Sequence, residues 1–106
     1  MAAEAANEIG GGSNGTDAAG WVNEVRTRAG LSSISFVNQA QMRDVIKQER
    51  RVEFAMEFER FFDLVRWGDA ETVLAPLGYQ HKHRYYPIPN SALSSNTLLV
   101  QNPEWP

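Results

Sequence analysis

The sequence predicts a mainly α protein that combines a helical hairpin and a long helix with a proline-rich, irregular C-terminal tail. Two stretches, residues 17–29 and 38–58, place apolar side chains at helical spacing. The last thirty residues contain four of the five prolines, and no long helix fits among them. With 106 residues the chain fits one domain at most.

The first two predicted helices form the hairpin. Met1–Ile9 is rich in alanine and favours helix, and the glycine-rich segment 10–15 is expected to interrupt it. Thr16 or Asp17 can cap a second helix. Gly30 is expected to end that helix, because glycine readily takes the left-handed backbone conformation that closes many helices.

The long helix is predicted from about Asn38 to Phe58, and its apolar face includes carboxylates. At helical spacing, one stripe of this helix contains Met42, Val45, Ile46, Glu49, Val52, Glu53 and Met56. Glu49 lies near the centre of the stripe. A carboxylate in an apolar environment must be paired or neutralised, so Glu49 is predicted to be buried and to contact an arginine.

Charged residues on the long helix and on a short apolar helix at residues 60–67 suggest a structural ion-pair network. Its predicted members are Glu49, Arg50, Glu53, Asp63 and Arg66. The alternative is a glycoside hydrolase, in which Glu49 and Glu53 would act as the acid and the nucleophile. Solvent exposure separates the two, because catalytic carboxylates need an open cleft and structural ones need arginine partners.

Other chemistry has little support in the sequence. There is no cysteine, the net charge is −3, and no basic run is typical of nucleic-acid binding. His81 and His83 would point the same way on an extended segment, but no Cys, Asp or Glu lies nearby in sequence to complete a metal site. Neither a catalytic residue, a cofactor nor a metal is predicted.

Aromatic residues are the remaining candidates for ligand contact. Trp21 and Trp67 lie in apolar patterns and are predicted to belong to the core. Tyr79, Tyr85 and Tyr86 lie beside the loop-rich region and are candidates for contact with sugar rings.

Five stretches, in order along nearly the whole chain, give the sequence a family resemblance. The long helix has the pattern Ile-x-x-Glu-Arg-Arg-x-Glu-x-Ala-x-Glu, and an Arg-Phe-Phe-Asp-Leu-Val-Arg-Trp-Gly segment follows it. The others are Asn-x-Val-Arg-x-Arg-Ala-Gly, Pro-Ile-Pro and Gln-Asn-Pro, which begin at Asn23, Pro87 and Gln101. Together they resemble the SusD/RagB family. The family usually has Gly and His at the positions of Phe58 and Glu59, so the long helix is expected to continue further here.

The resemblance implies a fold and a function. Family members are longer, mostly helical proteins with tetratricopeptide-like helix pairs, anchored by lipid to the outer membrane and facing outward. They bind glycans or peptides without cleaving them and cap a TonB-dependent transporter. We therefore expect residues 1–106 to be the C-terminal SusD/RagB-like portion of a longer lipoprotein whose upstream part makes most nutrient contacts. A free-standing helical protein-interaction domain is the alternative.

Overall fold

The computed structural model describes residues 1–10 and 12–106, which divide into two compact units, residues 1–57 and 58–106. The described residues form six α-helices and two short 3-10 turns, with no β-strand among them. The prediction of a mainly α fold is therefore confirmed.

Three helices build the first unit. They are α1 (Ala2–Ile9), α2 (Gly12–Arg28) and α3 (Gln39–Glu53), and each packs against the other two. The buried core of this unit comprises Ala18, Ala19, Val22, Met42 and Ile46. The core therefore lies where the apolar stripe of α2 meets the first half of the stripe of α3.

Helix α2 begins at Gly12, so the prediction that the glycine-rich segment is irregular up to Thr16 is wrong. Gly11 lies outside the described residues. The reason for the early start is tertiary packing, because Gly15 is buried and the ring of Phe36 lies directly over it. Asn14 adds a hydrogen bond from its Nδ2 to the carbonyl of Gly10. Packing and a local hydrogen bond thus offset the low helix propensity of glycine.

The end of α2 follows the prediction. Gly30 has φ of 73° and donates its N–H to the carbonyl of Thr27, while Leu31 donates to the carbonyl of Arg26. These two bonds define a Schellman motif, which satisfies carbonyls that the last turn of a helix leaves free.

Helix α3 begins as predicted and ends early. The side chain of Asn38 caps it by accepting a 2.9 Å hydrogen bond from the N–H of Gln41. The predicted extension to Phe58 is wrong, because α3 stops at Glu53 and Met56 and Phe58 adopt left-handed φ values of 70° and 62°. Met56 and Phe58 are both exposed, so packing of these side chains does not stabilise a longer helix.

We expect Phe58→Gly to raise the free energy of unfolding by roughly 0.5–1 kcal/mol, because a left-handed residue with a Cβ is strained by about 1–2 kcal/mol and glycine is not. Urea denaturation monitored by circular dichroism measures the change. The control is Phe58→Ala, which removes the exposed ring and keeps the strain. A gain of equal size in both variants would show that the ring, and not the backbone, is responsible.

The second unit contains three shorter helices: α4 (Arg60–Trp67), α5 (Ala70–Leu74) and α6 (Asn90–Ser95). Gly68, with φ of 77°, ends α4 as predicted. Asp63, Leu64 and Ala70 are buried where α4 packs on α5. Phe62 is exposed, so one apolar side chain of α4 faces solvent.

The tail contains two short helical segments. His81–Arg84 forms a 3-10 turn, and Asn90–Ser95 forms a short helix. Trp105 fastens the end of the tail, since its Nε1–H lies 3.1 Å from the carbonyl of Lys82 and 3.0 Å from that of Tyr85.

Candidate functional site

Two arginine–glutamate pairs join α2 to α3. Arg26 donates from Nη1 to Glu49, and Arg28 donates from Nη2 to Glu53. The first pair is mostly enclosed, with side chains 20% and 19% exposed, and the second lies at the surface, with side chains 67% and 35% exposed. Removing one partner leaves an unpaired charge, which is less well solvated in the enclosed pair, so we expect loss of either side chain of the Arg26–Glu49 pair to destabilise this unit more.

Arg26 and Arg28, which bind these glutamates, were not among the members predicted for the network. Arg26 and Arg28 lie 23 and 25 residues before their glutamates, and adjacency in sequence could not reveal them. Glu49 contacts an arginine as predicted, and its side chain is partly enclosed where burial was predicted.

The other predicted members of the network make contacts of their own. Arg50 places its guanidinium 4.8 Å from the ring centroid of Phe54. Asp63 accepts a 2.9 Å hydrogen bond from Nε of Arg66, within α4. A single network that includes Glu49, Arg50, Glu53, Asp63 and Arg66 stays a prediction.

The Arg26 side chain is itself held in place. Its Nε donates a 2.8 Å hydrogen bond to the carbonyl of Ser32, in the loop after α2. Asn23 fixes the same loop, because its side-chain amide exchanges two 2.8 Å hydrogen bonds with the backbone of Ile34. The guanidinium is thus oriented before it meets Glu49, which lowers the entropy lost in forming the ion pair.

Helix α1 is tied to α3 by contacts that the sequence analysis missed. Asn7 is fully buried and donates to the carbonyl of Gln39 at 3.1 Å, while Gln39 donates to the carbonyl of Asn7 at 2.7 Å. A single asparagine in an alanine-rich helix is the only sequence signal for this contact. Glu8 adds a two-bond pair with Arg43, at 2.8 and 2.6 Å.

The hydrogen bonds from Arg43 lower the pKa of the Glu8 carboxyl. We expect NMR titration to place it below the ordinary value of about 4.3, and Arg43→Gln to return it toward that value. Because the folded-state pKa is the lower one, this stabilisation is complete above the unfolded-state pKa and is lost as the pH falls through the folded one. A Glu8 titration that Arg43→Gln leaves unchanged would contradict the assignment.

An open groove of about 300 Å³ runs beside the ion pairs. Residues around it include Trp21, Val25, Glu49, Arg50, Glu53 and Phe54. Trp21 is 48% exposed, so the prediction that it belongs to the core is wrong. Its face of α2 lies beyond the part that α3 covers. The glutamates therefore border a cleft, as a catalytic pair would, and also bind arginines, as a structural pair would.

The histidines do not form the arrangement considered from sequence. The 3-10 turn places Nδ1 of His81 3.0 Å from a carboxylate oxygen of Glu104, and Nδ1 of His83 accepts from the N–H of Gln80 at 3.0 Å. In residues 1–10 and 12–106, no three His, Cys, Asp or Glu side chains converge as metal ligands.

The three candidate tyrosines occupy different environments. Tyr79 is half-buried, with ring centroids of Phe61 and His83 at 6.1 and 5.7 Å, so its contacts are those of a packed side chain. Tyr85 and Tyr86 are exposed, and the guanidinium of Arg84 lies 5.2 Å from the Tyr85 ring centroid. Of the three candidate tyrosines, Tyr85 and Tyr86 are the two whose rings are exposed.

Comparison with known proteins agrees with this set of motifs. The sequence profile of the SusD family matches residues 1–84. This chain belongs to the SusD family. Two proteins from Formosa agariphila, SusD-like protein P2 and SusD-like protein P25, are each 33% identical to it over 96% of its length.

The chain spans less than a quarter of each of these SusD-like relatives, 23% of the first and 21% of the second. No solved structure shows a significant match. Among the described residues of this SusD-family chain, every helix is too short or too polar to traverse a lipid bilayer.

In this SusD-family chain, the stretches that carry the resemblance contact one another. The Asn-x-Val-Arg-x-Arg stretch supplies Arg26 and Arg28, and the long-helix stretch supplies Glu49 and Glu53. In the second unit, the side chain of Gln101, from the Gln-Asn-Pro stretch, exchanges hydrogen bonds of 2.8 and 3.0 Å with the backbone of Ile88, from Pro-Ile-Pro. The recognisable residues thus make structural contacts with one another.

Proposed function

We propose that this chain is the C-terminal structural portion of a SusD-like protein that binds a nutrient at the outer membrane, facing outward. The family match over residues 1–84 carries the proposal. The nutrient is a glycan, an oligosaccharide or a peptide, and the protein passes it to a TonB-dependent transporter. Most nutrient contacts lie in the longer part of the protein, because this chain is less than a quarter of its relatives' length.

Within that protein, the role of residues 1–57 is to form a rigid support. Each of the three helices is joined to another by an ion pair or by reciprocal amide hydrogen bonds. Tyr85 and Tyr86 are candidates for an additional nutrient contact, since exposed aromatic faces stack on sugar rings. Their role is secondary to that of the upstream portion.

Binding without cleavage fits the state of the two glutamates. A glycoside hydrolase needs one carboxyl that can donate a proton and a second that is free to attack or to activate water. Glu49 and Glu53 each accept a hydrogen bond from an arginine, which occupies an oxygen of each carboxylate.

The proposal is tested on the complete gene product, tagged and expressed in its native host. We expect it in the outer-membrane fraction, sensitive to external protease on intact cells, and co-purifying with a TonB-dependent transporter. Calorimetry with a panel of oligosaccharides and peptides should detect binding, and no new reducing ends should appear. A protein confined to the cell interior would overturn the proposal.

Matched variants separate binding from hydrolysis. Glu49→Gln and Glu53→Gln keep the side-chain shape and remove the charge, so nutrient affinity should stay unchanged if both groups are structural. Sugar release that either variant abolishes would establish the hydrolase instead.

The open groove favours one further candidate, a free-standing helical interaction domain. The reading frame around the gene separates the two, because a nutrient-binding lipoprotein requires an upstream signal and a lipidated cysteine. A frame that encodes these 106 residues alone would favour the interaction domain.

A further inference from the structure

The apolar stripes of α2 and α3 are longer than the core that they form. Val22 and Ile46 are buried in that core, but Trp21 is 48% exposed and Val52 is 62% exposed. Burying apolar surface stabilises a protein by about 25 cal/mol per Å², so a continuous stripe left half open indicates a surface that another element covers. The groove beside Trp21 lies on this uncovered half.

The shape of the groove suits a helix. It is bordered by α2, by α3 and by the start of α1, and its apolar residues on α2, among them Trp21 and Val25, recur at the spacing of a helix face. Helices pack by fitting ridges of side chains into grooves of this kind, and amphipathic helices bind to helical domains in the same way.

An unpaired carboxylate at the edge of the groove indicates that the helix in it carries a basic residue. Glu49 and Glu53 are already paired with Arg26 and Arg28. Glu24 also borders the groove, is exposed, and has no ion-pair partner among the described residues. A carboxylate that another helix partly covers needs a cation, so the occupant should place a lysine or arginine opposite Glu24.

We infer that this groove holds an amphipathic helix from the part of the SusD-like protein outside residues 1–106, with its apolar side against Trp21 and a basic residue facing Glu24. The inference rests on the proposal that this chain is one portion of a longer protein. The relatives, of which it covers only 23% and 21%, have ample sequence to supply that helix.

Site-specific photocross-linking in the complete gene product tests the inference. With p-benzoylphenylalanine in place of Trp21, mass spectrometry should find a cross-link within the same molecule, to a segment outside this span with apolar residues at helical spacing and a lysine or arginine. The control places the same probe at Thr27, an exposed α2 residue that does not line the groove. A cross-link from position 21 to a second copy of the protein, or none at all, would overturn the inference.

A second measurement covers the case in which the bulky probe prevents folding. Residues 1–106 contain no cysteine, so Val25→Cys and Thr27→Cys each introduce a single thiol into this span. Both substitutions change the size of the side chain little. In the complete protein, maleimide should label Thr27→Cys and leave Val25→Cys unlabelled. Equal labelling would show that the groove is open and would refute the inference.

The cross-linking and labelling results can be told apart from the test of the proposed function. A helix cross-linked at position 21 in a protein that is not at the outer membrane would support the inference and refute the proposed function. An open groove in a transporter-associated protein would refute the inference and support the proposed function.

Discussion

Gly15→Val is expected to lower the free energy of unfolding by about 3 kcal/mol, at the upper end of the usual cost of overpacking a core. A Cβ at Gly15 would lie 2.4 to 2.6 Å from three ring atoms of Phe36, far inside van der Waals contact. Phe36 packs against the core of the first unit, so a ring that moves aside loses that packing. Urea denaturation followed by circular dichroism measures the loss.

Gly20→Ala is the matched control on the same helix. A Cβ at Gly20 meets nothing within 4 Å, and alanine favours a helix interior over glycine by about 0.8–1.0 kcal/mol, so this variant should be more stable than the parent. Combining Gly15→Val with Phe36→Ala should recover part of the loss, because the two side chains compete for one space. A loss that Phe36→Ala does not reduce would show that the clash is not with that ring.

Glu49→Ala should lower the free energy of unfolding by about 2 kcal/mol. Removing one partner of a fully buried ion pair typically costs about 3–5 kcal/mol, and the partial exposure of both side chains reduces that cost. The variant removes the charged partner of the Arg26 guanidinium, which then keeps only the hydrogen bond from its Nε to the carbonyl of Ser32. Chemical denaturation of both proteins at neutral pH gives the difference.

Glu53→Ala provides the comparison one helical turn away. Its ion pair with Arg28 is more exposed, and exposed pairs contribute about 0.2–1 kcal/mol, so the effect should be well below that of Glu49→Ala. The double variant Arg26→Ala with Glu49→Ala isolates the coupling between the two side chains. Equal effects of Glu49→Ala and Glu53→Ala would mean that enclosure does not strengthen the first pair.

The two glutamates show how much of the site is readable from sequence. Their position in an apolar stripe indicates that each needs a partner, because an unpaired carboxylate there is unfavourable. Spacing along one helix does not identify the ion-pair partner of each glutamate. Arginines close in sequence, such as Arg50, were therefore predicted as the partners. Arg26 and Arg28 reach the glutamates only because α2 and α3 pack side by side.

Some helix ends could be predicted from the sequence, and others depend on tertiary packing. Gly30 and Gly68 end α2 and α4 as local backbone chemistry predicts. The start of α2 and the end of α3 do not follow from local preferences. Packing of Gly15 under Phe36 extends one helix into a glycine-rich segment, and the absence of packing around Met56 shortens the other.

Periodicity, motifs and backbone preferences act over a few residues, so the helical class, the family and the glycines that end α2 and α4 could be predicted from the sequence. The arginine that binds Glu49, the open groove beside Trp21 and the burial of Asn7 could be learned only from the packing of the helices. Those features depend on which helix faces meet and how far they overlap. Where two helix faces pack, they bring together side chains that are far apart in the sequence. Local preferences carry no information about such long-range contacts.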